Sequence, residues 1–157
     1  MSDNIIYNGV KIMKRPFNPD KEILNYCKHI CNAHVQVLRQ NHDTKTWYWD
    51  YPAVAAICHD EGCILKRSSY SHHPVESEYN NVLKKKLSKL GKIGKRCKKP
   101  GKRNVIGNCA EQHAANLYMK QYGEKNLNNL FFSKALRPRT KQEIPYCDNC
   151  KDTFPNI

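Results

Sequence analysis

The chain has 157 residues, room for one domain with one core. Hydrophobic residues make up 39%, a low share for a globular chain, and no apolar run is long enough to cross a bilayer as a helix, which argues against a helical membrane protein. The net charge of +13 is concentrated: 11 of the 27 Lys and Arg fall between Lys84 and Arg103 with no Asp or Glu, leaving 16 basic against 14 acidic residues elsewhere.

Met1-Ser2-Asp3-Asn4 lacks the basic start and apolar stretch of a signal peptide, so the sequence predicts a cytoplasmic protein with reduced cysteines. Ile5 to Met13 reads as a hairpin with Asn8-Gly9 at its turn. Asn18-Pro19-Asp20 starts a helix that runs to about Gln40; hairpin and helix together form an N-terminal part over 1–45. Ile23, Leu24, Cys27, Ile30, Cys31, His34, Val35 and Leu38 recur at helical spacing along this helix. Cys27, Cys31 and His34 share that face and could ligate a metal, but such residues are more often core. The aromatic run Thr46 to Tyr51 suits the end of a core better than a base-stacking surface.

Ala53 to Cys58 and Cys63 to Ser71 read as two strands joined by His59-Asp60-Glu61-Gly62. Cys58 and Cys63 face each other across that turn; a cross-strand disulfide is conceivable, but in a reducing compartment they are read as packed thiols. His72-His73 follows, close to where an active-site pocket would open; a role there is one reading, and a solvent-exposed pair is the favoured one. A basic insertion occupies 82–104. Val82, Leu83, Leu87, Leu90 and Ile93 give its first part an apolar helical stripe, and Gly91, Gly94, Pro100 and Gly101 loosen the rest. Lys95, Arg96, Lys98, Lys99, Lys102 and Arg103 are its candidate contacts to a polyanion, expected to be single-stranded DNA or RNA. The same cluster looks like a nuclear-localisation signal, which makes the nucleus a second candidate address.

The richest stretch is Asn108-Cys109-Ala110-Glu111-Gln112-His113. Gly107-Asn108 supplies a breaker and cap, a helix follows to about Tyr122, and Gly123 stops it. A third strand lies within Leu127 to Leu136. Pro145-Tyr146-Cys147-Asp148-Asn149-Cys150 then opens a second short helix. Cys109, Cys147 and Cys150 would give zinc three thiolates and leave a fourth position for water, as catalytic zinc sites do. Helix N-termini favour the thiolates. Glu111 is placed as a carboxylate that carries protons without binding the metal.

These residues resemble the zinc-dependent cytidine-deaminase-like superfamily in its three-cysteine form. Cys109-Ala110-Glu111 is similar to the first half of the motif. Ser133 to Thr140 with Tyr146-Cys147-Asp148-Asn149-Cys150 is more similar to the deaminase domains of bacterial polymorphic toxins. By its length the chain is read as one domain over 1–157. The resemblance covers the chain from about Ala53 to Cys150 and implies an α/β fold, layered α-β-α, with a small mixed sheet flanked by helices. It implies Zn2+ on Cys109, Cys147 and Cys150, with Glu111 as general acid and base. It implies hydrolytic deamination of a nucleobase, cytosine to uracil first, with a toxin-type effector among its roles. Rival readings are a free cytidine or nucleotide deaminase, and a non-catalytic zinc-stabilised nucleic-acid-binding protein with His113 or Cys97 as fourth ligand. Tyr146 departs from the superfamily's direct Pro-Cys. The fold usually continues after the last ligand helix, so the sheet is either truncated there or completed by the N-terminal hairpin.

Overall fold

A computed structural model describes residues 4–7, 10–13, 24–41, 53–59, 66–98 and 104–157. In chain order its elements are β1 (Asn4–Tyr7), β2 (Val10–Met13), α1 (Leu24–Asn41), β3 (Val54–His59), β4 (Lys66–Tyr70), α2 (Asn81–Ser88), α3 (Ala110–Tyr122), β5 (Leu130–Phe132), β6 (Ala135–Leu136), β7 (Glu143–Ile144) and α4 (Asp148–Thr153). The first helix's Asn-Pro-Asp start, the aromatic run and the turn after His59 lie outside the described residues.

β3 is the axis of the fold. Residues 53 to 58 are all buried, as an apolar run in a central strand should be. Side chains alternate along a strand, so the two faces can be read separately. Val54 and Ala56 pack with Cys31, Val35 and Leu38 of α1. Ala53 and Ala55 pack with Ala110 of α3, and Ile57 packs with its Ala114, Ala115 and Tyr118. The alanines on that face let α3 approach the sheet closely. An α-β-α layering results, as expected.

The sheet differs from expectation in its pairing. Its order is β4-β3-β6-β7, with β5 also on β3, and every described pair is antiparallel rather than mixed. The stretch read as one third strand is divided by a bulge. Ser133 replaces the ladder there: its N–H donates to Ala56 O at 2.9 Å, and its Oγ accepts from Ala56 N at 2.9 Å. β1 and β2 pair only with each other, so the N-terminal hairpin adds no strand to the main sheet among the described residues.

The basic segment docks on the body. Asn80 caps α2, accepting from the N–H of Val82 and of Leu83. Leu83, Leu87, Leu90, Ile93, Cys97 and Ile106 enter the same core as α3, leaving the lysines outside. A short return follows, with Arg96 bridged to Val105. Gly107 then turns the chain into α3 at φ +87; a methyl there would meet Ile93 and Pro74 at 3.1 Å. Gly123 ends α3 in the left-handed conformation at φ 66, as its position predicted.

The packed-thiol reading fails for Cys58. It stands at the turn end of β3, opposite Lys66, and is disulfide-bonded. Antiparallel pairing closes that end of the hairpin. Cys63 lies outside the described residues, and the expectation of uniformly reduced cysteines does not hold here. No described helix is long and apolar enough to cross a membrane.

Candidate metal centre

Two helix starts converge. Cys109 itself, not Asn108, is the N-cap of α3, and its side chain makes no capping bond, which leaves the sulfur available. Cys147 is the N-cap of α4, and its sulfur accepts from Cys150 N at 3.4 Å. The three sulfurs of Cys109, Cys147 and Cys150 lie within 4.8 Å of one another, with Cys109 and Cys147 3.1 Å apart. Bonds of about 2.3 Å in a tetrahedron set sulfurs roughly 3.8 Å apart, so small movements would seat an ion. Polar groups without partners adjoin the cluster in sequence: Gln112 beside Glu111, wholly buried, and Asn149 Oδ1 between the last two cysteines. The donor set fits a soft metal ion.

Without a cation the three thiols compete for charge. Hydrogen bonds from Cys109 and Cys150 hold the Cys147 thiol well below its ordinary range. The same bonds push Cys109 and Cys150 up, and burial adds to both. A dication would reverse the upward shifts, since ligating thiols must lose their protons.

Glu111 is 4% exposed and stands outside the sulfur cluster. Burial raises its carboxyl to about 7, its own backbone N–H opposes this, and the Cys147 charge adds to it. Its charge in turn raises Cys109 and Cys150, so it is within electrostatic reach of the sulfurs. Two residues past the helix cap, the carboxylate lies in the first turn of the helix that Cys109 opens.

Neither candidate fourth ligand joins the cluster. His113 Nε2 donates to His72 O at 2.8 Å, and Cys97 Sγ donates to Leu90 O at 3.5 Å. Burial pushes His113 down to about 4, so it is neutral at physiological pH. In the α1 set Cys27 and Cys31 are core, donating to Phe131 O and Val54 O, and half-buried His34 bonds Ser68 Oγ through Nδ1 at 2.7 Å. Tyr146, the residue inserted before Cys147, packs on the core and donates to Phe132 O at 2.9 Å.

Of the cationic candidates, Lys95, Arg96 and Lys98 are exposed around a recess of about 620 Å³ with Leu90 and Cys97 in its lining. Lys99, Lys102 and Arg103 lie outside the described residues. The arm is tied to the metal helix through one carbonyl: Asn104 O accepts from Cys97 N and from Asn149 Nδ2, each at 3.1 Å. His72 and His73 are exposed, as read from the sequence, and the backbone N–H of His72 donates to the carbonyl of Asn108, the residue just before Cys109.

Compared with known proteins, the chain matches no family, no curated protein and no solved structure. What is established is a three-cysteine cluster, able to hold a metal ion, beside the helices and small sheet of an α/β fold.

Proposed function

We propose that this chain is a zinc-dependent hydrolytic deaminase acting on a nucleobase, cytosine to uracil first, in single-stranded nucleic acid. One observation carries the reading: three thiols meet at two helix N-termini, with a buried carboxylate beside them that belongs to no ion pair among the described residues. Three thiolates suit zinc and leave one coordination position open. Zinc, when bound, supplies the Lewis acidity that makes water a nucleophile near neutral pH. Glu111 would take up the water's protons in turn, passing one to ring N3 as the oxygen bonds C4 and one to the exocyclic amine, so that the C4–N bond breaks, ammonia leaves and the carbonyl forms. Burial keeps that carboxyl dry and confines its proton traffic to the site. The arm points to the substrate class. A nucleoside carries no charge for it to neutralise, whereas a strand offers a phosphate at each step.

Glu111→Gln is the test of mechanism. It should keep full metal content and fold while turnover falls by about 10² to 10⁴. Loss of the metal instead would make Glu111 a ligand and defeat the scheme. For the substrate, neutralising Lys95, Arg96, Lys98 and Lys99 together should weaken strand binding and flatten its salt dependence, with metal content unchanged. Salt-independent turnover of free cytidine, with none on single-stranded DNA or RNA, would overturn the polynucleotide reading.

A further inference from the structure

His72 and His113 form a pair of stacked imidazoles, and the segment that carries His72 touches both the residue before Cys109 and the cationic arm. His72 N donates to the carbonyl of Asn108, the residue before Cys109, at 3.2 Å. The next residue, His73, lies against the arm: a methyl on Gly94 would come within 3.6 Å of its Nε2. His72 itself is exposed, yet its ring is fixed. Nδ1 donates to Tyr70 O at 2.9 Å, and since a carbonyl only accepts, that nitrogen carries the proton. The ring lies on that of buried His113, with centroids 3.5 Å apart and planes 14° from parallel. His113 in turn donates to the His72 carbonyl, so each residue orients the other. The Tyr70 ring flanks His72 at 4.7 Å between centroids.

Holding an exposed side chain in one rotamer costs conformational entropy, and an imidazole in water recovers little of it. A pre-set aromatic group is what a stacking contact requires. Every base has a π face, so such a contact tolerates any neighbour of the target base. We propose that His72 is a base-positioning residue, stacking on a base of the single strand as that strand passes from the arm to the metal centre. The inference rests on the polynucleotide reading above. It assigns the arm to phosphates, His72 to a base, and Glu111 to the chemistry.

Binding separates this role from turnover. The full chain carrying Glu111→Gln is titrated into a fluorescently labelled single-stranded oligodeoxynucleotide and its RNA counterpart. His72→Ala in that background should weaken binding about tenfold, the size of one lost stack, with metal content and Tm held. His72→Trp should restore binding, and its added emission should be quenched when the strand binds. Unchanged affinity in His72→Ala overturns the inference. So does a His72→Trp variant that binds as poorly as His72→Ala, the result expected if His72 only covers His113. A parent chain that binds neither strand overturns it as well. His72-dependent binding by a wild-type chain that deaminates nothing would sink the deaminase reading and leave this one standing.

Discussion

Cys27, Cys31 and His34 on α1, and Cys109, Cys147 and Cys150 at the starts of α3 and α4, are both sets that could ligate a metal. Only the second converges. Along α1 each polar atom meets its own partner: Phe131 O, Val54 O and Ser68 Oγ. At the helix starts the sulfurs meet one another. Side chains spaced along one helix face spread over two turns, roughly 11 Å of axis. Two helix ends brought nose to nose aim theirs at a point. Burial pushes Cys27 up to about 12 and Cys31 to about 11; within the cluster it adds to the rise that the sulfur–sulfur hydrogen bonds give Cys109 and Cys150, and Cys147 alone is held low, by hydrogen bonds from its neighbours. The geometry separates the two sets: the thiols of α1 are each bonded to a carbonyl, and those of the cluster lie close enough together to hold one ion.

The largest effect should follow breaking the convergent set. Cys147→Ser should lose bound metal almost entirely and lower Tm well beyond a typical surface substitution, because metal binding and folding are coupled. Elemental analysis and a thermal melt check it; full zinc in a variant lacking all three sulfurs would end the assignment. Cys31→Ala sharpens the contrast. Its side chain is wholly buried, so removal should cost about 1–3 kcal/mol through the lost contact and bond to Val54 O, with metal content unchanged. Denaturant titration beside metal analysis reads both, and a fall in metal would place Cys31 in the centre after all.

The smallest effect lies at His34. Burial holds its folded pKa below the ordinary value of 6.5. As pH falls below 6.5 the unfolded chain binds a proton that the folded histidine resists, so this contribution is complete above 6.5 and fades on acidification. His34→Gln should therefore make stability slightly less dependent on pH between neutrality and about pH 5. A steeper dependence in the variant would contradict the sign.

Local rules made much of the fold legible in the sequence. The apolar run at Ala53 to Cys58, the breaker Gly107, the stop Gly123 and the Cys-x-x-Cys helix start act over a few residues, and each appears where expected. What stayed hidden depends on partners far along the chain. Ser133 interrupts one strand because its side chain reaches Ala56, 77 residues away. The His72 ring is held where it is because α3 brings His113 against it, 41 residues on. The tie from Asn149 to Asn104 spans 45 residues and follows from no motif. The antiparallel sheet belongs to the same class, since resemblance suggested a mixed one and only the pairing decides.

The contact between Cys109 and Cys147 joins residues 38 apart and encloses α3 and the strands β5, β6 and β7. An ion on these sulfurs would act on the chain as a cross-link does. By loop-closure entropy a clip of that length is worth about 4 kcal/mol against the unfolded ensemble, if it behaves as a covalent bridge. The two short strands β6 and β7 and the six-residue helix α4 are otherwise anchored by Leu136, Cys150 and Phe154 in the core and by the bond from Asn149 to Asn104. Stripping the ion would therefore loosen this half first: its backbone amides would exchange with solvent while β3, β4 and α1 stayed protected.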